Sequence, residues 1–212
     1  MNSPIFLSHF LNDTTPFYGG EENLFVCKKT NQINNGNSSN NLHFSFPNHI
    51  GTHIDFPLHF SVDGLSCCDF PASFWIFNNI VFLNCSIDKI EIKAEKLHSD
   101  IEMLIVKTGF GENRKNKEYW EEQPVIPASL ANFFRSKFAN LRLFGFDMIS
   151  LTSKLDRAEG KNAHLQFLIQ NNILILEDMN LSNLHFTPRL VVVSPLLVSN
   201  ADGVPCTVFA IN

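Results

Sequence analysis

At 212 residues, with 44% hydrophobic side chains, 21 phenylalanines and only 17% charged residues, the chain suits one domain spanning residues 1–212 and carries ample apolar material for its core. A formal charge of −5, with no basic run and no interleaving of basic and aromatic residues, argues against nucleic acid as a partner. No apolar run reaches the ~18 residues that a membrane helix needs, so a membrane partner is not expected either.

Residues 4–30 read as an opening strand and loop, with turns at Thr15-Pro16 and Gly19-Gly20. Residues 31–41 are a polar, asparagine-rich stretch suited to a mobile hairpin tip. Alternation resumes at Leu42–Phe46 and runs into a histidine-rich segment, His49 to Phe60; Asp63-Gly64 then marks a turn. Ile80–Cys85 and Met103–Thr108 read as buried strands with a short amphipathic piece, Lys89–Leu97, between them. A polar loop from Glu112 to Gln123 carries Tyr119 and Trp120. Pro127 opens a helix through Phe138 that gathers Leu130, Phe133, Phe134 and Phe138 on one face.

Leu141–Phe146 is a further strand, followed by a helix over Asn162–Gln170 and a short strand, Ile173–Leu176, that ends at Glu177. Arg189–Val193 and Cys206–Ile211 are the last strands, separated by Pro195 and the Asp202-Gly203 turn. Strands alternating with helices predict an α/β fold: a mixed sheet with flanking helices. The five cysteines, Cys27, Cys67, Cys68, Cys85 and Cys206, have no zinc-finger or C-x-x-C spacing and read as free thiols. The N-terminal stretch lacks the basic start of a secretory leader, so a cytoplasmic setting is expected.

The stretch His49-Ile-Gly-Thr-His-Ile-Asp-Phe-Pro-Leu-His-Phe60 carries the chemistry. Read with period 2, His49, Gly51, His53, Asp55, Pro57 and His59 fall on one side, and Ile50, Thr52, Ile54, Phe56, Leu58 and Phe60 on the other. An extended chain rises about 3.3 Å per residue, so His49 and His53 reach one ion only if the chain bends. Gly51 and Pro57 are the expected bends. A polar loop whose histidines bond to the backbone is the structural alternative, but loops rarely alternate ligand and hydrophobe so strictly. Glu177, at the end of an apolar strand, and His164, in a predicted helix, complete a candidate metal site, since a buried carboxylate is costly to leave unpaired.

The motif H-x-G-T-H-x-D-x-P-x-H, complete from His49 to His59, resembles the signature of the cyclase-like metal hydrolases, the family that includes bacterial kynurenine formamidase. Thr15-Pro16 with Tyr18-Gly19, Lys107-Thr108-Gly109, Gly145-Phe146-Asp147 with Ser150, His164-Leu165, Leu176-Glu177 and Asp202-Gly203-Val204-Pro205 match further family segments in order. Lys107 stands where an arginine is usual, and Phe56 where a small residue is common.

The resemblance implies a swivelling β/α/β fold and a homodimer or homotetramer. It implies two metal ions per chain, usually zinc and in some members manganese. His49, His53 and Asp55 would hold the first; Asp55 and Glu177 would bridge to a second, completed by His164. His59 would be the general acid/base. The implied reaction is hydrolysis of N-formylkynurenine to kynurenine and formate, a step of tryptophan catabolism, with isatin-like or other amides as the alternative substrates. A non-catalytic metal-binding oligomer is the alternative of another class, and the intact His59 counts against it. Tyr18, Phe46, Phe60, Trp75 and Trp120 are candidates for an aryl pocket by aromaticity alone.

Overall fold

A computed structural model describes residues 3–21 and 23–212. Its strands are β1 (Ile5–Phe6), β2 (Val26–Asn31), β3 (Asn41–Ser45), β4 (His53–Asp55), β5 (Ile76–Phe77), β6 (Ile80–Asn84), β7 (Met103–Lys107), β8 (Leu143–Phe146), β9 (Leu174–Glu177), β10 (Leu190–Pro195) and β11 (Gly203–Ile211). The α-helices are α1 (Ile90–Ala94), α2 (Glu118–Glu121), α3 (Ser129–Lys137) and α4 (Arg157–His164). Among the described residues, nine strands make one sheet, in the order β5-β10-β11-β4-β9-β8-β7-β6, with β1 added on β11. The strands β6 to β9 are mutually parallel. The other pairings are antiparallel.

The parallel half follows from its sequence. Met103, Leu104, Ile105 and Val106 form a continuous apolar run, and all four are buried, as strands covered on both faces require. Phe134 of α3 and Phe167 beyond α4 pack on Phe144 of β8; the Phe144–Phe167 rings stack with centroids 5.3 Å apart. These contacts belong to one apolar core that runs from Leu7 to Ala210. At the C-terminal ends of the parallel strands the chain turns polar. Asp147, just past β8, accepts hydrogen bonds from the Thr108 amide (2.7 Å) and hydroxyl (2.6 Å) and from the Gly109 amide (3.1 Å). Glu177, the last residue of β9, is buried at the same end.

Several elements differ from the sequence expectation. Tyr119 and Trp120 sit in the short helix α2 rather than a loop. The strand expected to stop at Val193 runs through Pro195, which sits at its end opposite Cys206. The helix expected from Asn162 starts at Arg157, where the Asp156 side chain accepts from the Glu159 amide and caps it. It continues past His164 as a π-helical turn, Leu165–Gln170. The strands β2 and β3 form a separate hairpin, with residues 31–41 at its tip as expected. The hairpin touches the main sheet so little that Leu42 and Phe44 are each 51% exposed. Among the described residues, no helix is long and apolar enough to cross a membrane.

Candidate active site

The histidine-rich segment is a paired strand only from His53 to Asp55. Both expected bends are present. Gly51 has φ +62°, a left-handed conformation, and a Cβ there would meet the Leu11 side chain at 2.4 Å. At Pro57 the chain enters a single 3-10 turn ending at His59. His59 therefore reaches the site from a turn, not from the strand face that a strict period of 2 implies. The apolar side behaves as expected up to Phe56, which is buried against Phe70 and Trp75. Phe60 departs from it. Its ring stacks on His164, centroids 4.5 Å apart and planes 19° from parallel, and lines the site while packing against the edge of the core.

Sheet register assembles the rest. β4 lies between β9 and β11, and His53 pairs directly with Glu177. Their side chains meet with His53 Nε2 3.2 Å from Glu177 Oε2. His53 Nε2 is also 3.5 Å from Asp55 Oδ1. From the end of α4, His164 Nε2 points at Asp55 Oδ2 (3.4 Å) and Glu177 Oε1 (3.7 Å). His49 Nδ1 is 2.9 Å from Asp55 Oδ1. Its ring fits because residue 203 is glycine: a Cβ there would come within 2.2 Å of the imidazole. All six residues singled out from the sequence thus line one cavity of about 300 Å³, with Phe17, Tyr18, Phe60, Ile149, Ser150 and Thr152. Of the five aromatic candidates, Tyr18 and Phe60 line it and Phe46, Trp75 and Trp120 do not.

Two buried carboxylates facing each other need positive charge close by. Burial alone would lower the pKa of His53, but its hydrogen bond to Glu177 and the charge of Asp55 push it up to about 9. His164 is likewise opposed by burial, then raised to about 10 by Asp55 and Glu177. Burial would raise Asp55, yet bonds from His164 and His49 hold it well below the ordinary carboxylate range.

A divalent ion fits the same residues. His53 donates through Nδ1 to the Gly51 carbonyl (2.8 Å), and His164 through Nδ1 to the Gly160 carbonyl (2.8 Å). Each leaves Nε2 free toward the carboxylates, which is how metal-binding histidines are oriented by their outer partners. Ligand atoms of His53, Asp55 and Glu177 lie within 4.8 Å of one another, and so do those of His49, Asp55 and His59. Asp55 belongs to both groups.

Asp202 is a residue the sequence reading left as a turn. Its Oδ2 accepts from His59 Nδ1 (2.8 Å) and lies 3.1 Å from His49 Nε2, while Asn48 Nδ2 donates to Oδ1 (2.7 Å). The register Gly203 opposite Asp55 brings it there, a long-range pairing with no local signal. A second buried cluster was also missed. Arg114 grips Asp178 with Nε (2.8 Å) and Nη2 (2.7 Å), and the Tyr119 hydroxyl donates to Asp178 Oδ1 (2.6 Å).

The family model described as "Putative cyclase" matches residues 5–153. A protein named kynurenine formamidase from Bacillus anthracis is 31% identical over 159 residues, 74% of this chain and 73% of that one. One of the same name from Geobacillus thermodenitrificans is 29% identical over 97% of this chain and 95% of its own. Among solved structures, isatin hydrolase A from Labrenzia aggregata superposes with TM-score 0.81 over 98% of this chain and 93% of its own, at 20% identity. A predicted metal-dependent hydrolase from Bacillus stearothermophilus gives 0.73 over 98% of this chain and 97% of its own, at 18% identity. At those identities the structural likeness is one of fold, here the mixed α/β sheet with flanking helices. From the family match and the curated relatives together, the chain belongs to the cyclase family.

Proposed function

We propose that this protein is a metal-dependent amide hydrolase that cleaves the formyl C–N bond of aryl formamides, N-formylkynurenine foremost, releasing formate and kynurenine. The observation that carries the reading is one small cavity where two buried carboxylates and three imidazoles converge beside His59, a fourth imidazole held by its own carboxylate. The names of the curated relatives support the substrate.

His49, His53 and Asp55 would hold one ion, and Asp55, Glu177 and His164 a second. The mixed imidazole and carboxylate donors suit zinc, with manganese as the other metal of this donor type. Divalent ions held there supply Lewis acidity, which makes water more acidic and polarises a carbonyl. The protein's own groups supply the proton path. Asp202 accepts from His59 Nδ1 and so leaves Nε2 as the free base. His59 takes a proton from the attacking water and returns it to the aryl nitrogen as the C–N bond breaks. Phe60 fixes the His164 ring by stacking, and Phe17 and Ile149 give the cavity an apolar wall for an aryl group.

We infer further that residues 1–212 act as one domain and that the protein is a cytoplasmic homodimer. All five cysteines are free, which suits a reducing compartment. The hairpin of β2 and β3 is a two-stranded sheet that exposes Leu42 and Phe44, and such a sheet is marginal in water without a partner surface. A second copy of the chain is the partner proposed. Light scattering that finds only monomer at micromolar concentration would contradict it.

The substrate assignment is tested by steady-state rates on N-formylkynurenine, formanilide and isatin with zinc-loaded protein. The expected result is a kcat/KM of ~10⁴ M⁻¹s⁻¹ or more on N-formylkynurenine. A clear preference for isatin would move the assignment to cyclic amides. No turnover on any of them, with metal bound, would favour a non-catalytic metal-binding oligomer.

A further inference from the structure

Two cysteines that the mechanism does not use stand side by side in a second cavity. Cys67 and Cys68 form a single 3-10 turn with Asp69, and a capping box between Ser66 and Asp69 closes its start. Both thiols are free; Cys67 is buried and Cys68 exposed. Both residues line a groove of about 560 Å³ together with Phe70, Trp75, Leu197 and Val198. This groove is larger than the catalytic cavity of about 300 Å³ and shares no lining residue with it.

One wall of the groove is the connection between β10 and β11, which carries Asp202 at its end. Cys67 holds this connection at both ends. Its amide donates to the Ala201 carbonyl (3.1 Å), and its thiol donates to the Leu196 carbonyl (3.8 Å). Between those anchors the connection bulges outward, with Leu197 82% exposed and Asn200 turning at φ +56°. Asp202 follows Ala201 directly, and its Oδ2 accepts from His59 Nδ1 at 2.8 Å. A group seated on the two sulfurs therefore presses on the segment that orients His59.

The pair is better suited to a bridging ligand than to oxidation. Neighbouring Cα atoms lie about 3.8 Å apart, short of the roughly 4.4–6.8 Å that disulfides span. An atom inserted between the sulfurs lengthens the bridge and relieves that constraint. Burial pushes the Cys67 thiol up, so it is protonated at neutral pH. We propose that Cys67 and Cys68 form a dithiol site for trivalent arylarsenicals, the aryl group lying in the groove beside Phe70 and Trp75, and that its occupation slows the enzyme through Asp202. Each thiol condenses with one As–OH group of the hydrated arsenical. An As–S bond forms, an As–O bond breaks, and the thiol proton leaves with the hydroxyl as water. Arsenic stays trivalent, so no oxidant is needed. The site stands apart from the hydrolase reading above; only the loss of turnover rests on it.

The probe is phenylarsine oxide, added to metal-loaded protein and followed by mass spectrometry. One adduct per chain should form, be removed by a dithiol and withstand a monothiol. Cys68→Ser, at an exposed position, should turn over like wild type and form no monothiol-resistant adduct, and Cys67→Ser should fail to form it too. An equal adduct on Cys68→Ser, or none on wild type, would overturn the site. In wild type the adduct should lower kcat/KM by ~10-fold or more, as expected when the partner of an active-site histidine is disturbed. It should also shift the His59 ring signals in the NMR spectrum, assigned with His59→Ala, while Cys68→Ser shows neither change. Full adduct with turnover and His59 signals unmoved would overturn the link to Asp202. If wild type hydrolyses no amide, the function reading fails, and the adduct and the His59 signals still decide the site and the link.

Discussion

Glu177 and Asp178 are adjacent in sequence, both buried, and answered in opposite ways. Asp178 is closed by the protein: Arg114 grips it with two nitrogens at 2.7 and 2.8 Å, and the Tyr119 hydroxyl adds a third bond at 2.6 Å. Glu177 meets His53 and His164 at 3.2 and 3.7 Å and shares both with Asp55. Those contacts are longer than the roughly 2.7–2.9 Å of a good charge-assisted hydrogen bond. The first cluster is complete as an ion pair. The second has donor atoms converging on a common space, which is what ligands for a cation look like. The backbone separates the two roles: Glu177 ends β9 opposite His53, whereas Asp178 turns away with φ +50°.

The largest expected effect comes from breaking the open cluster at its shared member. Asp55→Ala should lose both bound metal and activity; metal content at the wild-type value would count against a bridging role. His59→Ala should keep its metal and lose ~10²–10⁴-fold in kcat, the usual worth of a general acid/base. Near wild-type turnover would remove His59 from the mechanism.

The closed cluster should fail differently. Arg114→Ala strands a buried carboxylate and should cost about 3–5 kcal/mol of stability in denaturant unfolding. Folded Arg114→Ala protein should still bind metal in the wild-type ratio, and loss of metal at full stability would erase the distinction between the two clusters.

The two clusters should also part company with pH. In metal-free protein the raised His53 and His164 add stability in full below the ordinary histidine value near 6.5. That contribution is lost as pH rises through about 9 for His53 and about 10 for His164. The melting temperature of metal-free protein should therefore fall between pH 7 and 10. Zinc should flatten that slope, because the ion takes over the role of the protons, and an identical slope with and without zinc would argue against a shared site. The smallest effect is expected at the edge of the open cluster. Asp202→Asn disturbs the orientation of His49 and His59 and should lower kcat/KM ~10–100-fold; an unchanged value would leave Asp202 as a surface clamp.

What the sequence made legible was local or periodic. The spacing from His49 to His59 is compact enough to read directly. Glu177 stands out because a carboxylate closes an apolar strand, and Met103–Val106 because four apolar residues follow one another. The missed residues depend on pairing across the chain. Asp202 reaches His59 only through the register of β11 on β4. Arg114 and Asp178 meet across a loop that has no periodicity to reveal it. Phe60 was legible as a pocket candidate by its aromaticity, but the alternation does not place it, because the 3-10 turn at Pro57–His59 ends the period of 2.

The most direct measurement is formate release from N-formylkynurenine by metal-stripped protein titrated with zinc. Turnover should rise with added zinc and level off at two bound ions per chain, as two metal groups joined by Asp55 require. Two ions bound with no formate released would contradict the hydrolytic reading of the open cluster, and full turnover at one ion would contradict the bridge.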